Sequence, residues 1–250
     1  MKQNKFIYNQ LRFYYHKELI TGEKIKFPSH LIHQIFRVLK KRSGDYIFLF
    51  NGDKKEYKVI LTHVSKSEIH GIVDEVFEYD GELNTNIHLY QSLVESSRME
   101  LIIQKATELG VKNFFPVISK KCKIKSVSSS KKERWNNIIL ESSEQSFRSE
   151  IMALENFIDF ETACLNAKGL KIFCNEFESN FHLNKIDKSY LNQHKVSDIS
   201  IFIGPVSGYH DTEILFAKQN DFISVSLGSR VLRTETAAIV SVGNIVNQLS

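Results

Sequence analysis

Cysteine is scarce in this chain: three residues in 250, at positions 122, 164 and 174, with no CxxC pair. An odd number of widely separated thiols argues against a disulfide framework and a zinc site, and fits buried or free thiols in a reducing compartment. Long apolar runs are missing too. None reaches the roughly 18 residues needed to span a bilayer. The start, Met1-Lys2-Gln3-Asn4-Lys5, is not followed by the apolar stretch and small-residue cleavage site of a signal peptide. A cytoplasmic protein with no membrane partner is the expectation. No GxGxxG follows a strand and no P-loop motif occurs, which argues against dinucleotide and P-loop nucleotide sites. HExxH and GxSxG are absent as well. The nine histidines show no metal spacing. They read as surface or packing residues, and no metal is expected.

What is present is ordinary globular material, 42% hydrophobic and 25% charged, enough for a real core. The net charge of +4 is mild, but its distribution is uneven. Residues 1–42 carry ten basic side chains (Lys2, Lys5, Arg12, Lys17, Lys24, Lys26, Arg37, Lys40, Lys41, Arg42) against Glu18 and Glu23, a local net of +8. A second cluster holds Lys120, Lys121, Lys123, Lys125, Lys131, Lys132 and Arg134 against Glu133. Such runs either attract a polyanion or form a solvated surface. Two of them on one chain keep nucleic acid open as a partner.

The apolar pattern changes character along the chain. Residues 1–80 read mainly as β. Tyr46–Phe50 is a short apolar run, Asn51-Gly52 is a turn signal, and Tyr57–Leu61 is the returning strand. Ile69–Phe77 alternates as a further strand. Leu31, Ile32, Ile35, Phe36 and Leu39 fall at helical spacing before them. This suggests a small RNA-binding barrel. The acids Asp74, Glu75, Glu78, Asp80 and Glu82 mark a boundary, and 81–250 reads as a second domain. There, strands at Ile87–Val94, Phe114–Ile118, Leu170–Cys174, Ile199–Ile203 and Phe222–Leu227 alternate with helices. The helices are centred on Met99–Leu109, Trp135–Leu140, Asp211–Gln219 and Thr236–Gln248. Alternation of this kind implies a mostly parallel sheet with helices on both faces. Residues 175–198 are polar and irregular and read as a loop.

Two loops follow strands directly: Ile203-Gly-Pro-Val-Ser-Gly-Tyr209 and Leu227-Gly-Ser-Arg-Val-Leu-Arg-Thr-Glu-Thr-Ala237. In open α/β sheets ligands bind beyond the carboxyl ends of strands. Glycines there let backbone groups approach a ligand closely. On physics alone the same loops also serve as glycine-capped turns. Taken whole, Gly204-Pro205, Gly208 and the run Ser226-Leu-Gly-Ser-Arg-Val-Leu-Arg-Thr-Glu-Thr-Ala-Ala238 resemble the C-terminal signature of the RsmE family of 16S ribosomal RNA (uracil-N3) methyltransferases. Met99–Val111, Arg134–Arg148 and His33–Gly52 resemble further stretches of that family in the right order.

The resemblance implies a SPOUT catalytic domain, α/β with a trefoil knot, preceded by a PUA-like β-barrel. It implies a homodimer acting on 16S ribosomal RNA within the small subunit, with S-adenosyl-L-methionine as cofactor. The cofactor would be held around Ile203, Gly204, Pro205, Gly208, Leu227, Gly228, Leu232, Thr234, Thr236 and Ala237. Arg233 or Arg230 would stabilise charge on the target base, and Glu235 would accept a proton. Arg12, Arg37, Lys40, Lys41 and Arg42 would grip RNA phosphates, while Glu141, Glu144, Gln145 and Arg148 would face RNA from the second helix. In one place the chain departs from the pattern: Val206 and Ser207 stand where the family usually has Glu-Gly. A serine forced to positive φ would strain that loop. The departure leaves two alternatives standing: a non-catalytic RNA-binding assembly factor derived from the family, and a knotted methyltransferase acting on another RNA.

Overall fold

The computed structural model describes residues 11–79 and 81–249. Lys2 and Lys5 of the basic stretch, and Asp80 of the acidic boundary, lie outside them. The chain divides into two compact units, one running through Glu82 and including Ser143–Glu150, the other holding Leu83–Ser142 and Ile151 onward.

In the first unit, strands β1 (Arg12–Tyr14), β2 (Lys24–Lys26), β3 (Tyr46–Phe50), β4 (Lys55–Val64) and β5 (Ile69–Glu78) form one sheet in the order β1-β3-β4-β5-β2. β1 pairs parallel to β3 and the other ladders are antiparallel. Strand periodicity sends Ile47, Leu49, Val59, Leu61, Ile69 and Val73 inward. Phe27, Leu31 and Ile35 join them from the segment between β2 and β3. The helix expected over Leu31–Leu39 is there in two parts. Helix α1 (Ser29–His33) runs into a wider turn, Gln34–Val38, where Leu39 N–H donates to Gln34 O at 2.9 Å.

The charge pattern predicts a single cut near residue 80, yet Ser143–Glu150 packs with the first unit. The Arg12 guanidinium donates to Ser143 O (3.3 Å) and Arg148 O (2.7 Å). Tyr14 N–H donates to the Glu144 carboxylate at 2.9 Å. Glu82 accepts from Ser149 N–H (2.8 Å) and Glu150 N–H (3.0 Å) and pairs with Arg148 at 3.1 Å. A polar segment of this kind lacks apolar periodicity, so its partner cannot be read locally.

The second unit is built on a sheet of seven parallel strands: β6 (Asn86–Ser92), β7 (Asn113–Ile118), β8 (Ala153–Leu154), β9 (Ile158–Asp159), β10 (Leu170–Cys174), β11 (Asp198–Ile203) and β12 (Ile223–Val225). Their order is β12-β10-β11-β6-β7-β8, with β9 also on β7. The period of two separates the two faces. Leu89, Ile172 and Ile201 join an aliphatic core with α2 (Ser96–Glu108), α3 (Ser129–Gln145) and α7 (Thr234–Leu249). Their neighbours Tyr90, Phe173 and Phe202 enter an aromatic core under α4 (Phe160–Asn166) and α6 (Asp211–Gln219). Tyr90 stacks there between Phe115 and Phe202 at 4.3 Å each. Gly110 closes α2 at φ 89°, the left-handed position a C-cap needs.

One expectation needs correction. The stretch 175–198 is not all loop: it holds a short 3₁₀ turn (Leu183–Lys185) and helix α5 (Lys188–Gln193), capped by Asp187 accepting from Tyr190 N–H at 2.8 Å. Leu183, Ile186 and Leu191 are buried beneath it. Elements this short show no period. Helix α4 is likewise invisible to apolar spacing; its signal is the cap, Asp159 accepting from Thr162 N–H at 2.9 Å. All three cysteines are free and buried, and burial pushes the thiols of Cys164 and Cys174 up to about 12.

A candidate ligand cleft at three strand ends

Strand β10 lies between β11 and β12. The loops leaving all three therefore meet at one edge of the sheet. They enclose a cleft with a cavity volume of about 120 Å³. Its walls are Cys174–Glu176, Ile203–Val206, Ser226–Leu232, Thr234 and Ala237.

The first loop is shaped by close approaches. A side chain on Gly204 would lie 3.0 Å from the Tyr209 ring, and Tyr209 is itself buried against Phe173 at 4.3 Å. Gly208 N–H turns back onto Pro205 O at 2.9 Å, with Gly208 at φ 67°. Positive φ outside glycine falls, among the described residues, at Lys40, Lys54, Phe147, Lys195 and Asp221. Ser207 is not one of them, so the strain expected of it is absent. Its hydroxyl instead donates to Lys121 O at 3.3 Å, and Lys121 Nζ donates to Tyr209 O at 2.8 Å.

The second loop is held by Ser226. Its N–H donates to Phe181 O, its carbonyl accepts from Leu183 N–H, and its hydroxyl bonds both ends of Gly228 at 3.2 Å. Gly228 adopts φ 120°, which an L side chain rarely takes. Thr234 opens α7 and joins the loops. Its hydroxyl donates to Gly204 O at 2.7 Å and accepts from Gln91 Nε2 at 3.1 Å. Gln91, on β6, is fully buried, and its Oε1 has no hydrogen-bond partner among the described residues. Thr234→Val should cost about 1–3 kcal/mol by leaving these groups unpaired. Thr234→Ser should restore most of it. A urea midpoint for Thr234→Val equal to wild type would contradict the linking role.

Of the residues expected to hold the cofactor, Ile203, Gly204, Pro205, Leu227, Gly228, Leu232, Thr234 and Ala237 line the cleft, and Arg230, expected to act on the target base, lines it too. Gly208 is not among the lining residues. Arg233, Glu235 and Thr236 are at the start of α7 but not among the lining residues. Arg233 is exposed, and its side chain has no hydrogen bond or ion pair among the described residues. Glu235 is half-buried, with Oε2 shut from solvent and without a hydrogen-bond partner among the described residues. Sequence reasoning misses Asn175, Glu176 and Gln91. They sit at strand ends or inside a strand, and no motif marks them.

Two expected RNA contacts are overturned: Arg12 as a phosphate ligand, and Arg148 as a residue facing RNA from the second helix. Arg12 is 3% exposed and Arg148 is 5% exposed. Their guanidiniums are spent on Glu56 at 2.6 Å and Glu82 at 3.1 Å. Neither can present charge to RNA. Glu144 is likewise engaged by Tyr14. Glu141 and Gln145 are exposed, and Glu141 lines a shallow groove with Ser130, Glu133, Arg134, Asn137 and Ile138 rather than the cleft. Arg37, Lys40 and Arg42 are exposed, and Lys41 is half-exposed with its amine 5.7 Å from the Tyr46 ring centre. The second basic cluster is partly committed internally. Lys120 and Lys125 donate to Thr212 Oγ1 (2.7 Å) and Ser119 O (2.8 Å), and Arg134 to Glu100 (2.8 Å).

Among the described residues no helix is long and apolar enough to cross a membrane, and no group of three or more metal-binding side chains converges. The glycine-walled cleft has the form expected of a site that reads a nucleoside through backbone groups.

Comparison with known proteins decides the family. Residues 81–246 match the RNA methyltransferase domain family, and residues 30–74 match the RNA methyltransferase PUA domain. The chain belongs to this RNA methyltransferase family. The methyltransferase is 29% identical to ribosomal RNA small subunit methyltransferase E of Rickettsia conorii, over 94% of each chain. It is 30% identical to the protein of the same name from Synechocystis, over 91% of this chain and 74% of that one. A crystal structure of ribosomal RNA small subunit methyltransferase E from Neisseria gonorrhoeae, bound to S-adenosyl methionine, superposes with a TM-score of 0.85 at 28% identity, covering 96% of this chain and 98% of that one. A methyltransferase from Legionella pneumophila, in complex with the same cofactor, gives 0.84 at 30% identity, covering 96% and 97%.

Proposed function

We propose that this chain transfers a methyl group from S-adenosylmethionine to N3 of a uridine in 16S ribosomal RNA of the small subunit. The observation that carries the reading is the cleft: two glycine loops and the start of α7, joined by Thr234, in a chain of this methyltransferase family. Relatives named ribosomal RNA small subunit methyltransferase E support the choice of RNA. The working form is a cytoplasmic homodimer with its catalytic domain knotted near the C-terminus.

Backbone groups of Gly204, Leu227, Gly228 and Leu232 would hold the adenosyl moiety, with Ala237 leaving room beside the start of α7. When bound, S-adenosylmethionine supplies a methyl group already activated on a sulfonium, so positioning provides much of the rate. N3 of uridine carries a proton at neutral pH. Its removal places negative charge on the ring, and Arg233 is free to stabilise that charge. Glu235, with a carboxylate oxygen that has no partner among the described residues, is the acceptor for the proton. N3 is on the Watson–Crick edge, so the base must be unpaired or turned out.

Calorimetric titration with S-adenosylmethionine should give heat, and mass mapping of ribosomal RNA from a deletion strain should show one unmethylated uridine. No heat, with intact RNA methylation in the deletion strain, would favour the non-catalytic binder that Val206 and Ser207 leave open. A modification missing from tRNA or 23S RNA instead would favour a different target.

Arg37, Lys40, Lys41 and Arg42 of the first unit would touch phosphate. Charge reversal at Lys40 and Lys41 should flatten the dependence of log K on log salt by about 1–2, at ~0.7–0.9 for each phosphate no longer neutralised. An unchanged slope would remove these residues from the interface.

A further inference from the structure

Among the residues that line the cleft, Glu176 is the single acid and Arg230 the single base. The remainder of the wall is backbone, small side chains and apolar groups. Glu176 lies two residues beyond the end of β10 and is held by a fixed turn. Asn175 N–H donates to Val225 O at 3.0 Å, and Asn175 Oδ1 accepts from Phe177 N–H at 3.1 Å. Its carboxylate reaches back toward the first loop, where a Cβ added to Gly208 would run into it. Glycine at 208 therefore serves both a left-handed turn and the space this carboxylate occupies. The carboxylate makes no hydrogen bond or ion pair among the described residues and stays exposed to the cleft. Val206 supplies no charge on the opposite loop.

Adenine is neutral and can be read by main-chain groups alone. The ribose is different, because its two adjacent hydroxyls are donors that call for acceptors held side by side. An ionised carboxylate offers that pair of acceptors, and carboxylates at strand ends of other nucleotide folds meet ribose in this way. We infer that Glu176 is a specificity-determining residue that accepts hydrogen bonds from the ribose hydroxyls of the bound nucleoside. The inference rests on the methyl-donor reading of the cleft.

The test is calorimetric titration of the full chain, wild type and Glu176→Gln, with S-adenosylhomocysteine and with its 2′-deoxy counterpart. Hydrogen bonds to a charged acceptor set the scale. Glu176→Gln should bind the parent ligand roughly 10- to 100-fold more weakly. Wild type should lose affinity for the 2′-deoxy ligand, and the variant should lose little more when both changes are combined, because the two remove one interaction. Glu176 is exposed, so the variant should melt like wild type. Losses that multiply, or a variant that binds both ligands as wild type does, would overturn the inference. So would a loss that disappears with 5′-methylthioadenosine, which keeps the ribose but lacks the amino-acid ammonium. Failure of wild type to bind any of the three ligands would instead overturn the methyl-donor reading, and this inference with it.

Discussion

Arg12→Ala should lower the stability of the first unit by about 3–5 kcal/mol, the usual cost of stranding one partner of a buried ion pair. Arg12 and Glu56 have side chains 1% and 0% exposed, at 2.6 Å. Burial lowers the affinity of Arg12 for its proton. Burial also pushes the Glu56 carboxyl up to about 7, even with Arg12 drawing it back. Desolvation thus outweighs attraction on both sides of the pair. The folded Glu56 holds its proton more tightly than an unfolded one at 4.5. Its contribution is therefore greatest below about pH 4.5 and is lost as pH rises through about 7. Without Arg12 the ionised form is worse still, so the penalty of Arg12→Ala should be larger at pH 8 than at pH 5. The variant also removes the hydrogen bonds from Arg12 to Ser143 O and Arg148 O. Urea denaturation at the two pH values measures this. A loss under about 1 kcal/mol at pH 8 would be incompatible with a buried charge left alone. Replacing both residues, Arg12→Met with Glu56→Leu, should recover much of the loss, because an apolar pair avoids the desolvation.

Arg233→Ala should reduce the rate of methyl transfer by about 10²–10³, the range for losing one group that stabilises developing charge. Affinity for S-adenosylmethionine should stay near wild type, since Arg233 is not part of the cleft wall. Arg230 lines that wall, so Arg230→Ala should weaken cofactor binding instead. Single-turnover methylation of small-subunit RNA, paired with titration of the cofactor, separates the two. Wild-type single-turnover rates in Arg233→Ala would remove it from the chemistry. The structural basis for choosing between these arginines is position alone: both are exposed, and the sequence offers them as equals.

The long elements are legible because their side chains repeat. Leu89, Ile172 and Ile201 alternate with Tyr90, Phe173 and Phe202, and that alternation implies a sheet covered on both faces. The expected and observed bounds of α6, Asp211–Gln219, coincide. The two glycine loops are legible because glycine has a conformational meaning, which Gly208 at φ 67° and Gly228 at φ 120° express. Arg12 and Arg148 mislead for a general reason. A basic residue in a sequence carries its charge but not its depth, and only the packed fold reveals that Glu56 and Glu82 consume those charges. Ser207 is a similar case. Its strain depends on a torsion angle that the neighbouring residues settle.

The sequence by itself determined the parallel α/β class, the family and the two glycine loops that line the cleft, because these depend on periodicity and on contiguous residues. Tertiary structure alone decided that β10 sits between β11 and β12, which brings Glu176 to the same cleft as Gly204 and Gly228. It also decided that Gln91 reaches Thr234 across 143 positions. Strand order and long-range hydrogen bonds have no local signature: they are fixed when polar groups at distant positions find partners as the core closes.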